Sequence, residues 1–301
     1  MKIKYFFLNP IRFLISHLEK GYEKYKFIVE IIDRMSFKSF PILIEKLMKI
    51  PGRQKITVSL IGQHYSFRYY SEPSDELNIS CRNNLLNWEP SSRAIWSALS
   101  IKSSYIMDIG AYTGVYALIA ASSNPNAKIY AIEPNENIIN QLMKNIQINN
   151  FNLNVELQHH ALWSENISLK LYSYEDSSKT SVYTKETEAK SFKEIEAFTI
   201  DSLSEYKNVD LIKIDVENSE LKVLEGARKL LKSNSPIILM EALTMNELNA
   251  QRKFLKEFSY LDPIQVSESG SDKRNYIWTT SGNHKKVQES ISEITLIMTQ
   301  S

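Results

Sequence analysis

The residues best suited to chemistry begin in the run YIMDIGAYTGVYALIA, residues 105–120. An apolar strand ends at Asp108, a turn holding Gly110 and Gly114 follows, and an apolar helix opens at about Thr113. Gly110 permits the tight turn and lets a ligand approach the backbone. Gly114 permits close packing of helix on strand, and the helix start offers free N–H groups to a polar partner. Glycine spacing then separates two ligand classes. A dinucleotide site wants G-x-G-x-x-G to cradle a pyrophosphate. This run is D-x-G-x-x-x-G, with Ala111 and Tyr112 between the glycines and an acid before the turn. A diphosphate is poorly served by Asp108, whereas a ligand with an ammonium group and no phosphate suits it. S-adenosylmethionine is such a ligand. Glu133 supports the choice, because a carboxylate at the tip of the second strand can accept two hydrogen bonds from ribose hydroxyls. Pro134 and Asn135 open the following helix, with Asn135 as its N-cap and Ile139, Leu142, Met143 and Ile146 as its buried face.

The elements that must hold these residues are read from periodicity. Strands are expected at 104–109, 128–133, 155–161, 210–216 and 236–242, several of them nearly continuous apolar runs, as strands covered on both faces should be. Helices are expected at 135–149, 219–232 and 246–258. Alternating β and α units imply a doubly wound, mostly parallel sheet. Residues 168–174 and 180–184 read as an inserted hairpin, 260–267 and 275–280 as an antiparallel C-terminal edge, and 284–301 as a final helix. The fold class is therefore α/β, with an N-terminal helical and β extension. Its divisions are a basic amphipathic extension over 1–54, strands and a lead-in helix over 55–100, the main domain over 101–283, and the C-terminal helix. Within the first division, helices are expected at 11–35, with Gly21 interrupting the apolar face, and from Pro41 to Ile50, before a break at Pro51–Gly52.

Composition bounds the function. In 301 residues, 43% are hydrophobic and 24% charged, enough for a real core. No apolar run approaches the roughly 18 residues needed to cross a bilayer, and the first residues lack a cleavage site for secretion. One cysteine, Cys81, excludes an internal disulfide framework, and five histidines make a His-rich metal cage implausible. The net charge of +1 divides unevenly, for residues 1–55 hold 12 Lys and Arg against 5 Asp and Glu. Nothing points to nucleic acid as a partner. The basic, Phe-containing start has two readings, peripheral contact of residues 1–50 with an anionic membrane surface or packing on the domain or a second subunit. Packing is preferred, and the expected location is cytoplasmic, with the inner face of a membrane as the site of any peripheral contact.

The sequence resembles the FkbM family of S-adenosylmethionine-dependent methyltransferases. The matching phrases are MDIGAYTGVYALIAA (107–121), YAIEPNENIINQLMKNIQIN (130–149), HHALW (159–163), FTIDSL (198–203), DLIKIDVENSELKVLEGARKLL (210–231) and PIILMEAL (236–243). The resemblance implies a Rossmann-like methyltransferase domain and, usually, O-methylation of a sugar or other hydroxyl-bearing compound, with S-adenosylhomocysteine as the second product. It implies that Asp108, Gly110 and Gly114 line the methionine part of the cofactor. Glu133 would hold the ribose, Asn135 would lie near the adenosine, and Ala161 and Leu162 would border the adenine. One departure is visible: the family phrase has glycine after D-V-E, whereas this chain has Asn218 and then Ser219. Asn best replaces Gly at positive φ.

An alcohol acceptor needs a base near its oxygen, and alignment alone can lower the barrier by about 7–11 kcal/mol in good cases. The C-terminal ends of parallel strands are where such residues belong. Asp215 is the leading base and Glu217 the second. Glu241 either binds acceptor hydroxyls or braces its loop, and Glu220, in a first helical turn, serves the helix dipole more readily than substrate. Asp215 and Glu241 could instead hold a divalent cation, though a required metal is not favoured. His159 and His160, taken as strand neighbours, should point to opposite faces. Tyr112, Tyr116 and Trp163 are candidates to line a pocket. Two further readings remain open at this point, a nicotinamide-dependent oxidoreductase and a non-catalytic protein that retains the cofactor fold.

Overall fold

The computed structural model describes residues 56–61, 64–71, 88–173, 180–181, 191–267 and 271–300. The helices expected at 11–35 and 41–50, and the break at Pro51–Gly52, lie outside the described residues. Strands β1 (Ile56–Ile61) and β2 (Ser66–Ser71) form an antiparallel hairpin. Helix α1 (Pro90–Ile101) leads into β3 (Tyr105–Ile109), α2 (Val115–Ser123), β4 (Lys128–Ile132), α3 (Glu136–Ile148) and β5 (Val155–Gln158). Then come β6 (Ala161–Leu162), β7 (Ile167–Ser173), β8 (Thr180–Ser181) and β9 (Ser191–Phe198). The chain returns through β10 (Leu211–Ile214), the short helices α4 (Glu220–Glu225) and α5 (Arg228–Asn234), β11 (Ile237–Glu241) and α6 (Met245–Lys256). It ends with β12 (Ile264–Gln265), β13 (Asn275–Trp278) and α7 (Ser281–Gln300).

Seven strands make the main sheet in the order β12-β13-β11-β10-β3-β4-β5, with β11 to β5 parallel and β13 and β12 added antiparallel. Alternate residues of each strand face opposite layers. Ile106, Ile129, Leu211, Ile237, Leu239 and Ile277 pack under α1, α2, α3 and α7. Met107, Tyr130, Ile212, Ile214, Ile238 and Met240 pack against α4, α5 and α6. The sheet is covered on both faces, which is why its strands read as unbroken apolar runs. Among the described residues no helix is long and apolar enough to cross a membrane.

Several sequence expectations are corrected. The strand expected to run to 161 ends at Gln158, so His159 and His160 lie in the connection to β6 rather than on opposite faces of one strand. The helix expected over 219–232 is broken at Gly226 and Ala227. A Cβ on Gly226 would lie 1.9 Å from the Trp163 carbonyl oxygen, so this crossing of two backbones admits only glycine. Asp201, from FTIDSL, then caps the second piece by accepting from the Lys229 and Leu230 N–H groups at 2.7 and 3.0 Å. Strand β9 was not expected. Its segment SFKEIEAF buries only Ile195 and Ala197, too few apolar positions to show a period. It pairs with β6 and β7 to form a separate four-stranded sheet, so the 168–174 strand has β9 as its main partner.

The buried face of α3 also differs from expectation. Met143 is exposed and Ile139 half-buried, while Gln141 and Asn145 are buried with Leu142 and Ile146. The reason is β2, whose free edge lies along this helix. Asn145 accepts from the Tyr70 N–H at 2.7 Å and donates to the Tyr70 and Thr113 carbonyls at 3.1 and 2.9 Å. Asn149 repeats the pattern on the Arg68 backbone. Two amide side chains thus stand in for a missing strand. Asn145→Ala should leave buried backbone groups unpaired and cost about 2 kcal/mol, read as a lower urea midpoint with unchanged slope.

Candidate functional site

Parity and register bring the sequence-selected acids together. Asp108 on β3 pairs in register with Lys213 on β10 and with Ala131 on β4. Lys213 pairs with Leu239 on β11, and Glu241 with Asn275 on β13. Counting in steps of two from the apolar residues under α1 and α2, Glu133, Asp108, Lys213, Asp215, Glu241 and Asn275 all fall on that one face. They form a polar row across the carboxyl ends of the parallel strands.

The turn after β3 is tied at both sides. The Gly110 and Ala111 N–H groups both donate to the Ile132 carbonyl at 3.0 Å. Gly110, Tyr112 and Gly114 have φ of 76, 49 and 98°, so the backbone passes three times through the left-handed region. Helix α2 consequently starts at Val115, with Gly114 as its N-cap. Gly110 permits the tight turn as expected, and each glycine also meets a close neighbour. A Cβ on Gly110 would sit 1.9 Å from the Asp215 carbonyl oxygen, so the missing side chain admits β10's end. One on Gly114 would sit 2.4 Å from Leu142 of α3, rather than against a strand.

Asp108 is buried, and its Oδ2 accepts from the Ala117 N–H at 2.8 Å in the first turn of α2. Burial pushes its carboxyl up to about 7, opposed by the charge of Lys213 and the Ala117 N–H. Glu133 is buried too. Its two oxygens accept from the Tyr112 and Asn135 N–H groups, each at 2.8 Å, and burial again raises it to about 7. This carboxylate therefore ties the turn after β3 to the start of α3, where Asn135 caps the helix as expected by accepting from the Asn137 N–H. Thr113, behind the turn, meets the Tyr69 hydroxyl from the hairpin.

Lys213 is the residue that sequence reasoning passed over. It is 1% exposed in its side chain and donates to Asp215 Oδ2 at 2.8 Å. Its Nζ lies 4.6 Å from the centroid of the Tyr116 ring. The Tyr116 hydroxyl donates to Glu89 Oε2, while Asn275 Nδ2 donates to Glu89 Oε1 at 2.9 Å. Burial alone would lower the ammonium's pKa, but Asp215, Glu89 and Asp108 around it outweigh that and hold it charged. Burial likewise raises Glu89, which sits before α1 in a left-handed conformation. The signal was available: a lysine inside LIKI, an otherwise apolar buried strand, must find anionic partners. Nothing in the local sequence marks Glu89 or Asn275.

The acceptor-side residues follow from the loop after β10. Asp215 keeps about a third of its side chain exposed, 32%. Glu217 and Asn218 have φ of 52 and 74°, so Asn218 does occupy the left-handed region where the family phrase has glycine. Glu217 is exposed. Glu220 is buried, raised to about 7 by burial, and accepts from the Val216 N–H at 3.2 Å, so it braces this loop. Glu241 is 13% exposed and pairs with the Nε of Arg274, itself 48% exposed, at 3.0 Å. Burial and then the negative charge of Asp215 push Glu241 up to about 8. The remaining candidates lie apart. Tyr116 belongs to the Lys213 cluster. Ala161 and Trp163 pack in the core of the small sheet, and Leu162 under the main one. Pro134 and Tyr112 are half-buried beside Glu133. His159 is exposed, and His160 stacks edge-on against Phe198 with its pKa lowered by burial. Among the described residues no three His, Cys, Asp or Glu are grouped to hold a metal ion.

Residues 108–265 match the family model described as the Methyltransferase FkbM domain. The match begins at Asp108 and leaves Glu89 and Asn275 outside it. No curated protein matches the chain. Among solved structures, an FkbM methyltransferase from Methylobacillus flagellatus KT is similar at 16% identity and a TM-score of 0.45, over 59% of this chain. This chain spans 43% of that protein's length. A precorrin-6y C5,15-methyltransferase from Geobacter metallireducens GS-15 is similar at 18% identity and a TM-score of 0.40, over 62% of this chain and 85% of that one. TYW2 from M. jannaschii, in complex with AdoMet, is similar at 13% identity and a TM-score of 0.41, over 76% and 86%.

Proposed function

The chain belongs to the FkbM methyltransferase family, and from that premise we propose that it methylates a hydroxyl of a sugar, glycan or related metabolite with S-adenosylmethionine as donor. When bound, that donor supplies a methyl carbon made electrophilic by the positive sulfur. One observation carries the reading: Asp108 and Asp215 from the polar row, with Glu89 from the start of α1, surround the ammonium of Lys213. Three carboxyl groups face one ammonium there, so a cationic ligand is favoured as they ionise and a diphosphate is not. The donor chemistry of the chain fits as well. Asp108, Gly110, Ala111, Tyr112 and Gly114 form the turn that would receive the methionine portion. Each Glu133 oxygen accepts one N–H and has a further lone pair for a ribose hydroxyl. Pro134 and Asn135 would border the adenosine, with Ala161 and Leu162 toward the adenine. On the acceptor side, Asp215, Glu217 and Glu241 offer carboxylates for the departing proton, while Glu220 holds their loop.

Thermal unfolding with S-adenosylmethionine, S-adenosylhomocysteine or NAD tests the donor, and labelled methyl transfer to a panel of sugars and nucleotide-sugars tests the acceptor. Stabilisation by NAD equal to that by S-adenosylmethionine would sink the reading.

A pH dependence follows. Asp108 and Glu133 stand at about 7 in the fold, against about 4 in an unfolded chain. The unliganded fold thus retains protons that the unfolded chain releases. The stability they contribute is complete below about pH 4 and is lost as pH rises through 7. A cationic ligand favours the ionised form of Asp108, so through this acid its affinity should move the opposite way, rising about tenfold from pH 6 to pH 8. Calorimetric titration with S-adenosylmethionine at both pH values measures this, and equal affinities would count against Asp108 facing the ligand's charge.

A further inference from the structure

Two carboxylates occupy corresponding positions at neighbouring strand tips. Asp215 follows Ile214 on β10 and Glu241 follows Met240 on β11, and Ile214 and Met240 are partners in register. The cofactor turn follows β3, on the other side of β10, so β11 is the acceptor's side of the pair. The two acids differ in what holds them. Asp215 supplies the one hydrogen bond that Lys213 makes among the described residues, and Lys213 is fully buried. A proton arriving on Asp215 would take from that ammonium its one hydrogen-bonded anion, in a place where water cannot replace it. Glu241 is different. Its Oε1 takes the Nε of Arg274, a half-exposed group that water can solvate, and its Oε2 has no donor among the described residues. A proton arriving on Glu241 also relieves its repulsion with Asp215.

We propose that Glu241 is the general base of this site, and that Lys213 is a positioning residue that keeps Asp215 beside it as a fixed counter-ion. The inference rests on the methyl-transfer reading above and reassigns the base from Asp215, the residue favoured from the sequence. The acceptor's O–H bond breaks as its oxygen forms the bond to the methyl carbon. The proton passes to Glu241, and sulfur keeps the electron pair of the bond it loses as a neutral thioether. Glu241 then returns the proton to solvent. The charged groups facing Glu241 are Asp215 and Lys213 from β10, Glu217 from the following loop, and Arg274 before β13. Burial and the neighbouring Asp215 place Glu241 at about 8, close to the working range of a general base.

Carboxyl-carbon NMR of the full chain, saturated with S-adenosylhomocysteine and followed from pH 6 to 10, tests the assignment without turnover. The signal erased by E241Q is expected to titrate with a midpoint of about 8. The K213M variant is expected to shift the signal that D215N erases, which reads the hold of Lys213 on that carboxylate. Should E241Q not fold, E241D keeps a carboxyl and should move the same signal rather than erase it. If the carboxyl titrating in that window is the one removed by D215N, the proposal is overturned. Failure of S-adenosylhomocysteine to perturb any signal overturns the methyl-transfer reading and this proposal with it. With an acceptor found by the sugar panel, E241Q should also lower kcat about 10²–10⁴-fold at unchanged donor affinity.

Discussion

Replacing Gly110 with alanine should cost the fold about 2–6 kcal/mol and weaken S-adenosylmethionine binding about a hundredfold. Two effects add. An alanine at φ of 76° pays for the left-handed conformation, and the Cβ would fall 1.9 Å from the Asp215 carbonyl oxygen. The obstacle is backbone, so no side chain can rotate away. Strained φ and overpacking each cost about 1–3 kcal/mol. Relief requires the turn to move off β10, which breaks the paired hydrogen bonds of Gly110 and Ala111 to Ile132 or that of Asp215 to Ile109. Displacement by about 1 Å is enough for a hundredfold loss at a preorganised site. Urea unfolding and calorimetry with S-adenosylmethionine read the two effects separately. Binding that survived in a stable G110A protein would mean the turn is not where the ligand sits.

Lys213→Met should be the most damaging substitution of a charged residue among the described residues. The side chain would fit by length, so the cost is electrostatic. Removing one partner from a buried ion pair typically costs about 3–5 kcal/mol, and here Asp215, Glu89 and Asp108 all lose their shared cation. For a domain of this size that corresponds to a fall in Tm of about 6–20 °C. The loss should deepen with pH. Without the ammonium the buried carboxyls hold their protons more tightly than in the native chain, so the variant loses stability more steeply as pH rises from 5 to 8. Adding Asp108→Asn to K213M should restore part of the loss, because it removes an acid that the missing cation had balanced. Thermal melts of the two single variants and the double across that pH range measure the coupling. Additive losses would mean that Asp108 and Lys213 do not share a charge balance.

The strand, turn and helix order was readable because the signals are local. β3, β4, β10 and β11 were found within two residues of their ends from apolar runs. Asn135 was found as a cap from its place ahead of an amphipathic run, and Asn218 was matched to a left-handed position. Where reading failed, the deciding partner was distant. Met143 looks like a core residue on α3 until β2 docks along that helix and calls for Asn145 instead. Gly110 looks like a turn glycine alone until the end of β10 brings the Asp215 carbonyl against it. The sequence by itself determined an α/β alternation with an acid-flanked glycine turn at the first parallel strand and carboxylates at the tips of the others. Only the tertiary structure decided that Glu133, Asp108, Lys213, Asp215 and Glu241 share one face, and that Asp215, Glu89 and Asp108 surround the buried ammonium of Lys213. A strand's period of two says that neighbouring residues diverge, but not which layer each will meet. Inter-strand register is set by packing between segments far apart in the chain, and no local pattern records it.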